Sequence, residues 1–181
     1  MRLLICVKGS VLWLFEDNAA SSRNLRSEAE ARGVSADRLV FAAHAPLPDH
    51  LARHRLADLF LDTLPYNAHT TTSDALWAGL PVLTCRGNAF PGRVAASLLR
   101  AIGLPELITE NLAEYEALAL KLATTPGMLN DIKVKLARNQ TTYPLFDVER
   151  FRRHIESAYI TMYERYQRGE PPQSFSVVPI P

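Results

Sequence analysis

The sequence predicts an open, mostly parallel α/β sheet. Three observations carry that expectation. Short apolar runs alternate with stretches of helical periodicity from Val11 to Ile108. The run Leu56 to Leu61, apolar apart from Asp58, reads as a buried strand that ends at Asp62. Residues 62 to 81, DTLPYNAHTTTSDALWAGLP, then read as strand end, turn-like crossing, helix start and next strand. With parallel neighbours, each crossover is right-handed.

The elements follow in order. Val11 to Phe15 is the first strand, and Ser21 or Ser22 caps the helix Arg23 to Arg32, which Gly33 closes. Arg38 to Ala42 is the second strand. Pro46 or Pro48 starts a short helix over Asp49 to Arg53, and the third strand lies near Leu59. After the central stretch, with a helix from Ser73 to Trp77, comes a fourth strand, Pro81 to Cys85. A glycine-bracketed loop, Arg86 to Gly92, leads to an apolar helix over Arg93 to Ile102, with Trp77, Val94, Leu98 and Leu99 assigned to the core. Leu107 and Ile108 suggest a brief fifth strand.

From Leu112 the pattern turns helical. Leu112 to Ala123 and Met128 to Asn139 are separated by Pro126 and Gly127. Asp147 caps a third helix, whose apolar stripe is Phe151, Ile155, Ala158, Met162 and Tyr166. The expected organisation is a lobe over residues 1–145, a helix over 146–168 and a loose tail over 169–181.

Composition narrows the function classes. The chain has 181 residues, 48% hydrophobic and 22% charged, enough for one domain with an appendage. A formal net charge of +1 supplies no global field to gather nucleic acid or a membrane surface. The basic residues around Lys133, Lys135 and Arg138 are diluted by acidic neighbours. Cys6 and Cys85 stand alone, without ligand spacing or a disulfide framework, so a reduced, cytoplasmic setting is expected. No run approaches the ~18 apolar residues of a membrane span, and the opening MRLLICVKGSVLWLF lacks a small-residue cleavage site. It reads as the start of a chain that begins partway through a larger protein.

The central stretch carries the chemistry. The first amides of a helix lack intrahelical partners, and an anion is their natural guest at the carboxyl end of a parallel sheet. His69, Thr70 and Thr71 add an imidazole and two hydroxyls there. On residues alone, phosphate contact and simple helix capping by a threonine stand level.

The string HTTTSDALWAGLPVLT, followed by GNAFPGRVAASLLRAIGLPELI, closely resembles the catalytic region of the protein O-linked N-acetylglucosamine transferases, the tetratricopeptide-linked glycosyltransferases that include Spindly-like and bacterial members. SVLWLF, AEARGV, DRLVFAAHAP, HLARHRLADLFLDTLPYN and PLFDVERFRRHIESAY extend the likeness from residue 10 to 168. The resemblance implies the second, nucleotide-sugar-binding lobe of a GT-B enzyme: a Rossmann-like sheet with helices on both faces and a C-terminal helical appendage. It implies inverting transfer of N-acetylglucosamine from UDP-N-acetylglucosamine to protein Ser or Thr, without a metal or other cofactor.

By this resemblance His69, Thr70 and Thr71 match a phosphate-binding triplet, and Asp74 matches the carboxylate that takes the ribose hydroxyls. His50 matches a histidine near the uridine. Arg93, on the loop that borders the cleft, has two readings of equal weight: it reaches phosphate, or it holds the loop to the sheet. Two departures stand out. The family's lysine facing the diphosphate lies in a stretch that MRLLICVKG does not match, so Lys8 is not given its role; and Leu47 stands where animal members carry a lysine. The isolated chain is therefore expected to bind the donor but to be inactive or weak. The expected partners are the UDP-sugar and an acceptor protein, with no nucleic acid or membrane. The alternative is a non-catalytic, truncated module that binds nucleotide or self-associates, with a homodimer formed through the exposed interlobe face.

Overall fold

The computed structural model describes residues 1–179. Five short strands are all paired in parallel: β1 (Leu12–Phe15), β2 (Leu39–Ala42), β3 (Phe60–Leu61), β4 (Val82–Cys85) and β5 (Ile108–Thr109). They form two sheets rather than one. β1 pairs with β2, in register Leu12 to Leu39 through Phe15 to Ala42. β3, β4 and β5 form the second sheet in that order, with Phe60 opposite Val82 and Thr84 opposite Ile108. Each strand's type was legible in its own residues. Which strand pairs with which is a property of the assembled chain.

Helices cover the sheets, as parallel strands require. They are α1 (Arg2–Cys6), α2 (Ala19–Glu30), α3 (Leu47–Arg53), α4 (Thr70–Trp77), α5 (Val94–Ala101), α6 (Leu112–Thr124), α7 (Met128–Thr142) and α8 (Val148–Gln167). α1 was not expected: five residues are too few for a periodic signal. It is held from outside, by Arg38, whose guanidinium donates to the carbonyls of Leu4 (2.5 Å), Val7 (2.8 Å) and Ser10 (2.8 Å). α2 starts four residues earlier than expected, because Asn18 rather than Ser21 or Ser22 is its cap: the Asn18 side chain accepts from the Ser21 N–H at 2.9 Å. β3 is shorter than the apolar run around it; Leu56 lies in a 3-10 turn and is exposed.

The main core is built on the second sheet. β4 is buried at all four positions, and Leu76, Leu99, Ile102, Leu104, Leu107 and Leu136 close around it. A smaller core of Leu4, Ala29, Val34 and Leu39 lies under β1 and β2. Trp77, expected in the core, is mostly exposed at the end of α4, edge-on to Phe146 at 5.0 Å. α8 has no buried residue, and Phe151, Met162 and Tyr166 of its stripe are exposed. Beyond it, residues 170–179 have no regular structure, although Gln173 accepts from Arg165 at 2.7 Å; the last two residues of the expected tail lie outside the described residues. Among the described residues no helix is long and apolar enough to cross a membrane.

Candidate functional site

The site forms where β3 and β4 end. The chain leaves β3 at Asp62, crosses over residues 63–69 and enters α4 with His69 at its N-cap. No side chain caps α4. Ser73 N–H is the first amide seen bonding back, to the His69 carbonyl at 3.2 Å, so the amides of Thr70 to Thr72 are the orphan donors of this helix start.

The three threonines divide. Thr72 is fully buried and donates to the Ala68 carbonyl at 3.0 Å, a structural bond. Thr70 and Thr71 are exposed, and their hydroxyls bond to none of the described residues. The capping role that competed with ligand contact is therefore not taken by either. Asp74, one turn on, is half-buried and also unpaired by any described cation.

His69 is held from the neighbouring loop. Its Nε2–H donates to the Pro91 carbonyl at 3.2 Å, which also accepts the Asn67 N–H at 3.0 Å. Nδ1 is thus the ring nitrogen left for another partner. The imidazole stacks on Tyr66, centroids 4.8 Å apart, and meets the edge of Phe90 at 6.0 Å. The loop carrying Pro91 closes on itself through Gly87 N–H to the Gly92 carbonyl, 2.6 Å.

His50 sits on α3, in the other half of the molecule. Arg53 donates to its Nδ1 at 2.6 Å, and its carbonyl accepts from His54 Nδ1 at 2.7 Å. Burial, above all, holds the His50 imidazole below its ordinary range; His54, Arg53 and His44 add to this, and the charge of Asp74 opposes it. That opposition brings α3 and the start of α4 into one electrostatic neighbourhood. Arg93 follows the Phe90–Gly92 turn but is exposed, and its guanidinium bonds to none of the described residues. His69, Thr70, Thr71 and Asp74 are thus gathered on one helix start, with His50 coupled through charge and Arg93 on the bordering loop.

Sequence reading missed Asp62 and Tyr115. The Asp62 carboxylate is buried and accepts from Thr84 Oγ1 (2.6 Å), Ala68 N–H (2.7 Å) and Thr63 N–H (2.8 Å). Burial pushes it above the usual carboxylate range, against these three bonds and the charge of His69. Tyr115, from α6, donates to the Asp62 carbonyl at 2.9 Å, and burial raises its phenol well above the ordinary value. An acid at the end of an apolar strand was the one available signal.

A parallel α/β lobe with an uncapped helix start at its strand ends, lined by hydroxyls, is an arrangement suited to an anionic ligand. Comparison with known proteins makes this specific. Residues 1–155 match the model of Glycosyl transferase family 41, and the chain belongs to that family. It is 38% identical over 178 residues to the probable UDP-N-acetylglucosamine–peptide N-acetylglucosaminyltransferase SEC of Arabidopsis thaliana, covering 98% of this chain and 18% of that protein. The UDP-N-acetylglucosamine–peptide N-acetylglucosaminyltransferase of Caenorhabditis elegans is 34% identical over 171 residues, 94% of this chain and 15% of that one. A solved structure, a Lys-to-Met variant of Thermobaculum terrenum O-GlcNAc transferase, superposes with a TM-score of 0.78 at 34% identity, over 90% of this chain and 32% of that one. The chain therefore spans less than a fifth of the length of these two curated relatives.

Proposed function

We propose that this chain is the donor-binding lobe of a protein O-glycosyltransferase that uses UDP-N-acetylglucosamine. The observation that carries the reading is the α4 start, where exposed Thr70 and Thr71 hydroxyls bond to no described residue, beside an imidazole fixed by its far nitrogen. In this reading the diphosphate lies on the α4 amides, Thr70, Thr71 and His69. Each charge interaction at a helix start contributes roughly 0.3–1 kcal/mol, and donors aimed at the leaving diphosphate help most where charge develops. Asp74 accepts from the ribose hydroxyls, His50 approaches the base and Arg93 reaches a phosphate oxygen. The helix amides and hydroxyls meet the diphosphate charge without a metal. The acceptor protein and any group that assists its hydroxyl belong to parts of the relatives that this chain does not span, so the lobe alone binds donor with weak or no turnover, in the cytoplasm of a bacterial cell.

Isothermal calorimetry with UDP tests this. The parent chain is expected to bind, and His69→Ala and Asp74→Ala to weaken binding about tenfold each while melting like the parent. A folded parent that releases no heat with UDP would remove the reading.

A second reading, a self-associating module, draws on α8, where Phe151, Tyr159, Met162, Tyr163 and Tyr166 are all exposed. Sedimentation equilibrium distinguishes it: a dimer that Tyr163→Glu converts to monomer supports association through this helix.

A further inference from the structure

We propose that Asp62 is the positioning residue of this site: its buried carboxylate closes residues 63–68 into one fixed loop and so sets where His69 and the first amides of α4 point. The identity of the ligand rests on the nucleotide reading above; the role of Asp62 in the loop does not.

One oxygen of the carboxylate gathers both ends of the crossing. Oδ1 accepts from Thr63 N–H, where the loop begins, at 2.8 Å, and from Ala68 N–H, where it ends, at 2.7 Å. The other oxygen ties the loop to the sheet. Oδ2 accepts from Thr84 Oγ1 on β4 at 2.6 Å, and the Thr84 carbonyl in turn accepts from Thr109 Oγ1 on β5 at 3.0 Å. The Asp62 carbonyl takes the Tyr115 hydroxyl from α6. One residue thus registers the loop against two strands and a helix.

The consequence falls on the residue before the site. Ala68 is fixed at both ends, its N–H by Asp62 and its C=O by Thr72 Oγ1 at 3.0 Å. The peptide plane that leads into His69 therefore cannot turn freely. Within the loop, Asn67 Nδ2 donates to the Thr63 carbonyl and Thr63 Oγ1 to the Tyr66 carbonyl, each at 2.8 Å. Those bonds shape the loop but do not reach the sheet. An apolar residue at 62 would take away the acceptor of the Thr63 and Ala68 amides together. A carboxylate, an acceptor on both oxygens, matches three converging donors. The Asp62→Asn variant would keep an oxygen for both amides and present its NH2 to the Thr84 hydroxyl.

The test compares Asp62→Ala, Asp62→Asn and Asp62→Ser in the 181-residue chain, each first shown to melt cooperatively. Two readouts are taken: UDP affinity by calorimetry, and amide hydrogen exchange of residues 63–71 without ligand. Asp62→Ala is expected to bind UDP about tenfold more weakly, with fast exchange at Thr63 and Ala68; Asp62→Asn is expected to stay within about threefold of the parent with slow exchange. The serine variant, its side chain too short to span both amides, falls between them and replaces the alanine variant in both readouts should that one not fold. Parent-like affinity in folded alanine or serine variants overturns the proposal. If the parent itself does not bind UDP, the nucleotide reading fails, and exchange alone decides: unchanged protection at Thr63 and Ala68 on losing the carboxylate overturns the role of Asp62, and lost protection upholds it.

Discussion

β4 and β1 are both four-residue parallel strands flanked by helices, yet their surroundings differ. Every residue of β4 is buried, with Val82 and Leu83 fully enclosed, whereas β1 is only half-buried and ends in an exposed Phe15. β4 has a neighbour on each side; β1 has one. The core built around the second sheet joins eleven buried residues, against four under the first. The difference teaches where precision is stored. His69, Thr70, Thr71 and Asp74 rise from the dense half, and the thin half contributes His50 alone of the candidate residues.

The largest effect should come from emptying each core in turn. Leu99 and Leu39 are both fully enclosed, but Leu99 is surrounded by the larger cluster. Leu99→Ala is expected to cost about 4 kcal/mol and Leu39→Ala about 2 kcal/mol, both within the range for leucine truncation in cores that relax differently. Urea melts followed by tryptophan fluorescence measure this; equal losses would mean the halves are one cooperative body and would break the comparison.

Next in size is Arg38, the clamp of the thin half. Besides three carbonyls, it donates to Ser10 Oγ at 2.8 Å. Arg38→Ala should cost about 2 kcal/mol and release the α1 amides to fast exchange, while the α4 amides keep their protection. Lysine should not restore it, because an ammonium cannot match the planar fork. Loss of α4 protection along with α1 would show that the halves are coupled more tightly than their cores suggest.

The smallest effect is a pH dependence confined to the dense half. Burial is the leading influence on Asp62 and raises its pKa above the reference 3.8. A raised value means that the native chain holds this proton longer than the unfolded chain. Its contribution to stability is complete below 3.8 and is lost as pH rises through the raised native value. The melting temperature of Asp62→Asn relative to the parent should therefore climb across that window and then level off. A gap that narrows with rising pH would mean that the three hydrogen bonds outweigh burial.

The sequence made the strands and most helices legible because each writes its own signal: an apolar run, a 3.6-residue stripe, a glycine after the last turn. The helix that follows His69 was legible too, but it was expected from Ser73 and begins three residues earlier, at Thr70. What escaped depends on partners distant in the chain. The split between β2 and β3 is a matter of pairing, not of any strand's composition. α1 is tied down by a guanidinium thirty-odd residues away, which takes the carbonyls of Leu4 and of Val7 just past the helix end. Asp62 marked the end of a strand, but its donors come from 1, 6 and 22 residues further on, and no local pattern announces that convergence. Trp77 was assigned to the core, yet the helix ends with it facing outward.

Gly92 shows how closely two loops are bound. A Cβ there would come within 3.1 Å of Gly87 Cα and 3.2 Å of the Pro65 carbonyl oxygen, tighter than side chains ordinarily approach backbone. Pro65 belongs to the crossing that leads to His69, while Gly87 and Gly92 belong to the loop whose Pro91 carbonyl holds the His69 ring. The two loops are far apart in sequence but share one surface. As sequences diverge they cannot drift independently: a side chain gained at position 92 has to be answered by backbone movement at 65, and the answer arrives at the imidazole from both sides.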